Sequence, residues 1–495
     1  MIRILFFLLF SVFFTLGVKA QFFSSKLIDV ETQQPVPFAT IKFSDNIGVM
    51  SNEEGVFEYE KEASHIINDS LEISSLGYKL KKISLKDSLP TRIELQSEIF
   101  KIAPVVLTNA KITADEIIDL VADNLSKNHH YNYSKSTVFI RETFNQYFSK
   151  IKLKLEKSSI DNINQKLFDS IINKFPKNFT ALLESYGDSY LAKESEAKMQ
   201  VERMMLIQSK HEKASVKGMQ EDFLQMLRDN TKPNSYLVIK TGIITIDKTE
   251  SIDSITKKKK KKTKRQGKEA RLATQKRRNK ILNNLMQYNF INKDTEVDVI
   301  HKNSRYDFTK VGYVELDGEL IYVLDFTPRW RAKYKGRLYI NTNDYAVIKA
   351  EIQSAKEVFD KQFNMFGVKS NVLSFKSTLL YEKDTNNKYH IKYMKKVTHS
   401  ESGIDRSFKV IEKNKIVKGR NTQNKVSMRL DVMIKNKSTK ELVFNKATTV
   451  TKSSYDAFKN QSDYTIKRFN SYDKSFWKGY PIITPENAIR ELTID

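Results

Sequence analysis

Seven histidines are the side chains best suited to hold a metal or shuttle a proton near neutral pH, and their spacing argues against the usual zinc arrangements. None of His65, His129, His130, His211, His301, His390 or His399 has a glutamate three residues later. The only His-Glu step, His211-Glu212, continues Lys213-Ala214-Ser215 instead of completing H-E-x-x-H. A catalytic zinc needs about three protein ligands and one open position, and no such set is legible. Cysteine is absent, which excludes thiolate metal sites and cysteine nucleophiles. The 15 glycines form no G-x-S-x-G, G-x-G-x-x-G or G-x-x-x-x-G-K pattern. Paired carboxylates for glycoside-type hydrolysis need only spatial proximity, so a hydrolase built on scattered acids stays open. The adjacent His129-His130 is expected in a solvated loop. The sequence thus predicts no catalytic, cofactor-binding or metal residue, and a protein that is not an enzyme.

The strongest candidate contact is electrostatic. Residues 257–280 contain Lys257, Lys258, Lys259, Lys260, Lys261, Lys262, Lys264, Arg265, Lys268, Arg271, Lys276, Arg277, Arg278 and Lys280 against the single acid Glu269, which supplies 13 of the net +25 charges. Like charges repel and resist folding, so 248–280 is expected as a disordered, solvated insertion. Its functional option is contact with anionic envelope lipid or glycan through Lys257–Lys262, Arg277 and Arg278. Nucleic acid is not expected, since no aromatic lies between Tyr236 and Tyr288 to stack on bases.

The address points the same way. Arg3 precedes an apolar run from Ile4 to Val18, and Val18-Lys19-Ala20 offers a cleavage site before Gln21. This is the layout of a secretory signal peptide cut after Ala20; the run is shorter than the ~20 residues that span a bilayer. No later stretch is long and apolar enough to cross. The expected localisation is periplasmic or outer-membrane-associated, with envelope proteins or anionic envelope lipid as partners.

The remaining chain must position whatever site exists. Short alternating stretches (Ala39-Ile41-Phe43, Val56-Phe57, Leu71-Ile73, Ile93-Leu95) around turns at Gly55 and Gly77 predict a small β-sandwich over 21–98. Thr113 with Glu116 three residues on has capping-box spacing, and Ile117, Ile118, Val121, Ala122 and Leu125 predict a helix over 114–127. Thr137–Phe144 reads as a strand. A helical, charged middle is expected from 158 to 230, where Met199, Met204 and Met205 read as core packing. After 236, strands predominate: a hairpin turns at Asp317-Gly318, and 334–340, 345–351, 371–381, 388–398, 405–412 and 426–434 follow as an antiparallel meander. Trp330 and Trp477 are expected in a core.

Three segments carry a family likeness. Pro37-Phe38-Ala39-Thr40-Ile41, Ser51-Asn52-Glu53-Glu54-Gly55-Val56-Phe57 and Ser74-Ser75-Leu76-Gly77-Tyr78 resemble the carboxypeptidase-regulatory-like domain, which implies a transthyretin-like sandwich at the N-terminus of an exported Bacteroidota protein. With Phe139-Ile140-Arg141-Glu142, the hairpin at 335–348 and Ser475-Phe476-Trp477-Lys478-Gly479-Tyr480-Pro481, the whole chain resembles the Bacteroidota carboxypeptidase-like regulatory domain-containing proteins. That likeness implies a fold and an address but no reaction. The 335–351 hairpin also resembles the half-barrel of periplasmic lipoprotein carriers, which implies an apolar ligand groove.

The expectation is therefore an α+β, mainly β chain: signal peptide 1–20, transthyretin-like β-sandwich 21–98, mixed segment with helices 99–235, and C-terminal antiparallel curved sheet 236–495. Its expected role is a non-catalytic envelope binding or scaffold module. A periplasmic carrier or chaperone holding an apolar ligand in the curved sheet is the alternative, and a hydrolase using paired carboxylates the second.

Overall fold

The computed structural model describes residues 21–44, 47–61, 67–86, 88–101, 112–129, 133–173, 176–192, 197–208, 229–231, 234–242, 244–248, 266–356, 360–384, 386–416, 421–458 and 465–494. The expected signal peptide, the lysines 257–262, residues 209–228 of the middle expected to be helical, and His65, His130 and His211 lie outside these residues. Strands hold 57% of the described residues and helices 14%: the protein is mainly β.

Two compact units form. The first gathers Met1–Thr108, Val311–Val323 and Tyr472–Leu492; the second holds Asn109–Lys310, Leu324–Ser471 and Thr493–Asp495. In the first, β1 (Gln21–Asp29), β2 (Thr40–Ser44), β3 (Ile47–Met50), β4 (Val56–Lys61), β5 (Ser70–Ser74), β6 (Lys81–Ser84) and β7 (Arg92–Leu95) make two small sheets, ordered β4-β1-β7 and β3-β2-β5-β6, while β8 (Ile99–Lys101) pairs with residues 312–314. Alternate residues point to one face of a strand. Leu27, Ile41, Phe43, Phe57, Leu71, Ile73, Ile93 and Leu95 accordingly bury themselves in one shared core. Gly55 adopts φ +74°, and a side chain there would collide with the Leu27 carbonyl, so the turn before β4 requires glycine. Trp477 is buried against Phe476 and Tyr480, as its type predicts.

The second unit begins with α1 (Ala114–Asn128). Thr113 Oγ1 accepts from Glu116 N at 3.2 Å and the Glu116 carboxylate accepts from Thr113 N at 2.7 Å, the reciprocal cap read from the sequence. Next come β9 (Ser134–Ser158), α2 (Gln165–Asn173), β10 (Asn178–Leu191), β11 (Lys198–Gln208), β12 (Ser235–Thr241), β13 (Ile244–Lys248) and α3 (Gln266–Met286). The hairpin β14 (Tyr306–Leu316) and β15 (Glu319–Pro328), whose residues Val311–Val323 belong to the first unit, turns at Asp317 and Gly318, both with positive φ. It is followed by β16 (Tyr334–Asn341), β17 (Val347–Ser354), β18 (Asp360–Met365), β19 (Val368–Lys383), β20 (Tyr389–Asn414), β21 (Thr422–Thr449), α4 (Lys452–Ala457), β22 (Thr465–Phe469) and α5 (Asn487–Arg490), the last within the first unit.

The large sheet runs β22-β11-β10-β9-β21-β20-β19-β17-β16-β15, with β12 also pairing to β20 and β18 to β19. At ~3.3 Å per residue, the 28 residues of β21 extend on the order of 90 Å. Register shifts near Met428, Ile434 and Thr448 interrupt its ladder with β9. Such bulges bend a strand and raise its twist.

Two sequence expectations fail here. The middle is not chiefly helical: β10 and β11 occupy 178–208, and Met199, Met204 and Met205 are core residues of a strand. β11 alternates as a half-exposed strand, with Met199, Val201, Met205 and Ile207 buried and Glu202 and Gln208 exposed, but short apolar runs such as Met204–Ile207 fit a helical spacing equally well. Nor does a boundary fall at 235, because β9 to β11 share the sheet formed after residue 324, with β9 paired along β21.

Candidate functional site

Where β10, β9, β21 and β20 lie side by side, two successive rows of paired residues carry the charge. Directly paired residues in an antiparallel sheet project to the same face, and the next row projects to the other. The first row is Glu184–Arg141–Glu441–Lys395. Arg141 donates from Nε to Glu184 Oε1 at 2.5 Å and from Nη1 to Glu441 Oε2 at 2.9 Å, while Tyr393 Oη donates to Glu441 Oε1 at 2.7 Å. All five side chains are buried. Charge alternates along the row, and each carboxylate meets a cation. Buried ions persist only when paired and hydrogen-bonded, and this row meets that condition.

The second row is Leu183–Glu142–Lys440–Lys396–Ser377, on the opposite face. Helix α3 lies against it. Arg278, fully buried, forms an ion pair with Glu142. Further along α3, Asn279 Oδ1 accepts from Met199 N at 3.0 Å and Asn283 Oδ1 from Ala197 N at 2.5 Å. Ile281, Leu282 and Leu285 are buried beside them. The ammonium of Lys396 sits 3.3 Å from the ring centroid of Tyr288, which stacks on Phe375 at 5.1 Å.

The electrostatics of this row are unbalanced. Burial pushes the Lys396 amine down to about 7, with Lys440 adding to the depression and Glu296 opposing it. Burial also lowers Lys440, Glu142 opposes the change, and Arg278 and Arg277 reinforce it. Glu142 already pairs with Arg278. Neither lysine joins an ion pair among the described residues. Two adjacent desolvated amines therefore share a face with one committed carboxylate.

This arrangement corrects several readings. Residues 266–280 are helical instead of disordered, and Arg278 is an interior ion-pair partner, not a surface contact, because its register on α3 sets it over Glu142. Arg277, one residue earlier, is exposed. His129 is buried against Tyr381 and Tyr389, at ring-centroid distances of 5.2 and 5.7 Å, and is not in a solvated loop. It ends α1, whose apolar face draws it inward. Trp330 is 96% exposed, the reverse of the core position expected for it. Lys396 and Lys440 escaped the sequence reading because they are ordinary strand lysines until pairing sets them side by side. No cluster of three or more His, Asp or Glu suited to a metal occurs among the described residues. No helix among them is long and apolar enough to cross a membrane.

No family model matches the chain, and no curated protein matches it. Solved structures similar to it include a putative outer membrane lipoprotein-sorting protein domain from Vibrio parahaemolyticus (8% identity, TM-score 0.20), covering 70% of this chain and 97% of that one. MucB aligns at 10% identity and TM-score 0.17, over 64% and 92% of the two chains. A DUF1329 family protein from Desulfovibrio piger aligns at 11% identity and TM-score 0.16, over 65% and 92%. At these TM-scores the superpositions carry no functional assignment.

Proposed function

We propose that the chain is an exported, non-catalytic binding protein of the cell envelope, and that the Lys396–Lys440 row beneath α3 receives an anionic group of its ligand. The observation that carries this reading is the registered pair of desolvated amines beside a carboxylate already held by Arg278. Burying like charges together is costly unless something neutralises them. A bound phosphate or carboxylate does so, and the rings of Tyr288 and Phe375 offer apolar surface beside it. The signal-like N-terminus and the likeness of residues 37–78 to the carboxypeptidase-regulatory-like domain support an envelope address. Against a hydrolase, the facing carboxylates Glu184 and Glu441 enclose Arg141, whose guanidinium occupies the space a scissile bond would need.

The test is thermal unfolding of the full mature chain in inorganic phosphate, in dodecyl phosphate, and in their absence. Wild type is expected to gain stability with either anion, more with the alkylated one, and Lys396→Met/Lys440→Met is expected to lose that gain. An equal gain in the double variant, or none in wild type, refutes the reading.

A further inference from the structure

From Tyr393–Val443 to Ile411–Lys425, β20 and β21 keep one unbroken register. Every second residue of these strands therefore faces the side that carries Lys396 and Lys440, and that side changes character in steps. Next to the amines comes the row Phe375–Thr398–Ser438–Phe144, then Ser400–Asn436, about 7 and 13 Å along the strands. At about 20 and 26 Å lie Phe363–Ser370–Ser402–Ile434–Phe148 and Met365–Val368–Ile404–Val432–Ile151.

Two observations single out this side. Asn436 Oδ1 is buried, as is Ser377 Oγ in the Lys396 row, and neither has a hydrogen-bond partner among the described residues. A buried polar atom left unpaired is costly, and a bound molecule with hydroxyl groups removes that cost. The last row is apolar on all five strands, yet Ile151, Val368 and Ile404 are only half-buried and Met365 is 54% exposed. Among the described residues the apolar cluster here consists of strand side chains alone. Two rows further on, Phe168 of α2 packs with Met428 and Leu155. The reverse side at the same level is exposed and ion-paired, Lys150 with Asp431 and Arg429 with Asp405. An antiparallel sheet leaves its polar face in water and covers its apolar one; here the apolar rows lack a cover from any described element.

We propose that the ligand is an anionic single-chain glycerolipid, which rests on Lys396 and Lys440 forming an anion site. Its phosphate meets the two amines, its hydroxylated connector pairs with Ser377 and Asn436, and its acyl chain lies over Ile434, Ile404 and Val432. The order phosphate, hydroxyl, hydrocarbon repeats the order of the rows. The chain of a membrane lipid fills one leaflet, about 15 Å, and with the connector ahead of it arrives at the rows about 20 Å from the amines. A six-carbon chain falls short of them. A second copy of the protein on this side accounts for the apolar rows but not for the buried polar atoms beside the amines.

The chain contains no cysteine, so Ser402→Cys takes a single environment-sensitive thiol dye on the row about 20 Å from Lys396. The full mature chain is titrated with inorganic phosphate, glycerol 3-phosphate, and hexanoyl and palmitoyl lysophosphatidate below their micelle concentrations, by calorimetry and dye emission. The palmitoyl lipid is expected to bind at least about 100-fold more tightly than the hexanoyl one, and it alone shifts the dye to the blue. Ile151→Thr/Ile404→Thr keeps side chains that suit a strand. It is expected to lose most of that advantage while binding glycerol 3-phosphate as wild type does. Equal affinity for the two lipids, an unshifted dye, or a row variant with the full advantage overturns the proposal, and binding of the two small phosphates then leaves the anion site standing. Binding of none of the four compounds removes the anion site and the lipid with it. A wild-type dimer that the row variant splits, with no effect of chain length, also overturns the proposal and makes these rows a contact between copies.

Discussion

Replacing Lys396 by methionine tests the half-buried amine pair most directly. In the folded protein the amine titrates near 7 instead of its ordinary 10.5, because burial and Lys440 disfavour its charge. The unfolded chain therefore binds more protons than the folded one between those values. Wild-type stability must rise with pH across that window, and below about 7 the full penalty remains. At 1.36 kcal/mol per pH unit, the full difference between about pH 6 and 10 is on the order of 4 kcal/mol, reduced to roughly 2 kcal/mol by the solvent that reaches a partly accessible amine. Lys440 and Glu296 remain in both proteins, but their interactions with Lys396 are lost with its charge, so the repulsion from Lys440 and the opposing attraction of Glu296 are part of the difference measured. Methionine keeps the apolar contact with Tyr288 and Phe375 and carries no charge. Urea unfolding across the pH range is expected to show Lys396→Met gaining on wild type by roughly 2–4 kcal/mol at about pH 6, with the gain shrinking towards pH 10. Parallel pH profiles for the two proteins would show that the amine is solvated and would refute the argument.

Two further substitutions probe the frame around it. Arg141→Leu strands Glu184 and Glu441 in the interior and is expected to cost at least about 3 kcal/mol, read as a lower urea midpoint for the second unit; a loss below about 1 kcal/mol would mean that the row is hydrated. Thr113→Ala removes one half of the reciprocal cap on α1 and is expected to cost about 1 kcal/mol, visible as a small drop in melting temperature that Thr113→Ser restores.

Local rules accounted for what is local. The cap at Thr113, the Asp317-Gly318 turn, the glycine at 55 and the alternating core of the first unit all follow from neighbours within a few residues. The readings that failed concern residues whose fate depends on distant partners. β10 and β11 looked helical because short apolar runs fit either period, and only pairing with β9 decides for strand. Arg278 looked like part of a solvated cationic run because the single acid that claims it, Glu142, lies 136 positions away in the chain. Trp330 looked like core because tryptophan usually is.

The amino-acid sequence by itself determined the β-rich class, the absence of thiol chemistry, the short-range turns and caps, and a strongly basic charge concentrated in one segment. These depend on composition and on interactions that reach only a few residues. Tertiary structure alone decided which charges meet. Pairing β9 with β21 and β21 with β20 brings residues about 300 positions apart into one row, and a shift of a single residue would move each of them to the other face. That register makes Arg141 a satisfied interior ion, turns Lys396 and Lys440 into a desolvated pair, and leaves Trp330 and Phe366 at the surface.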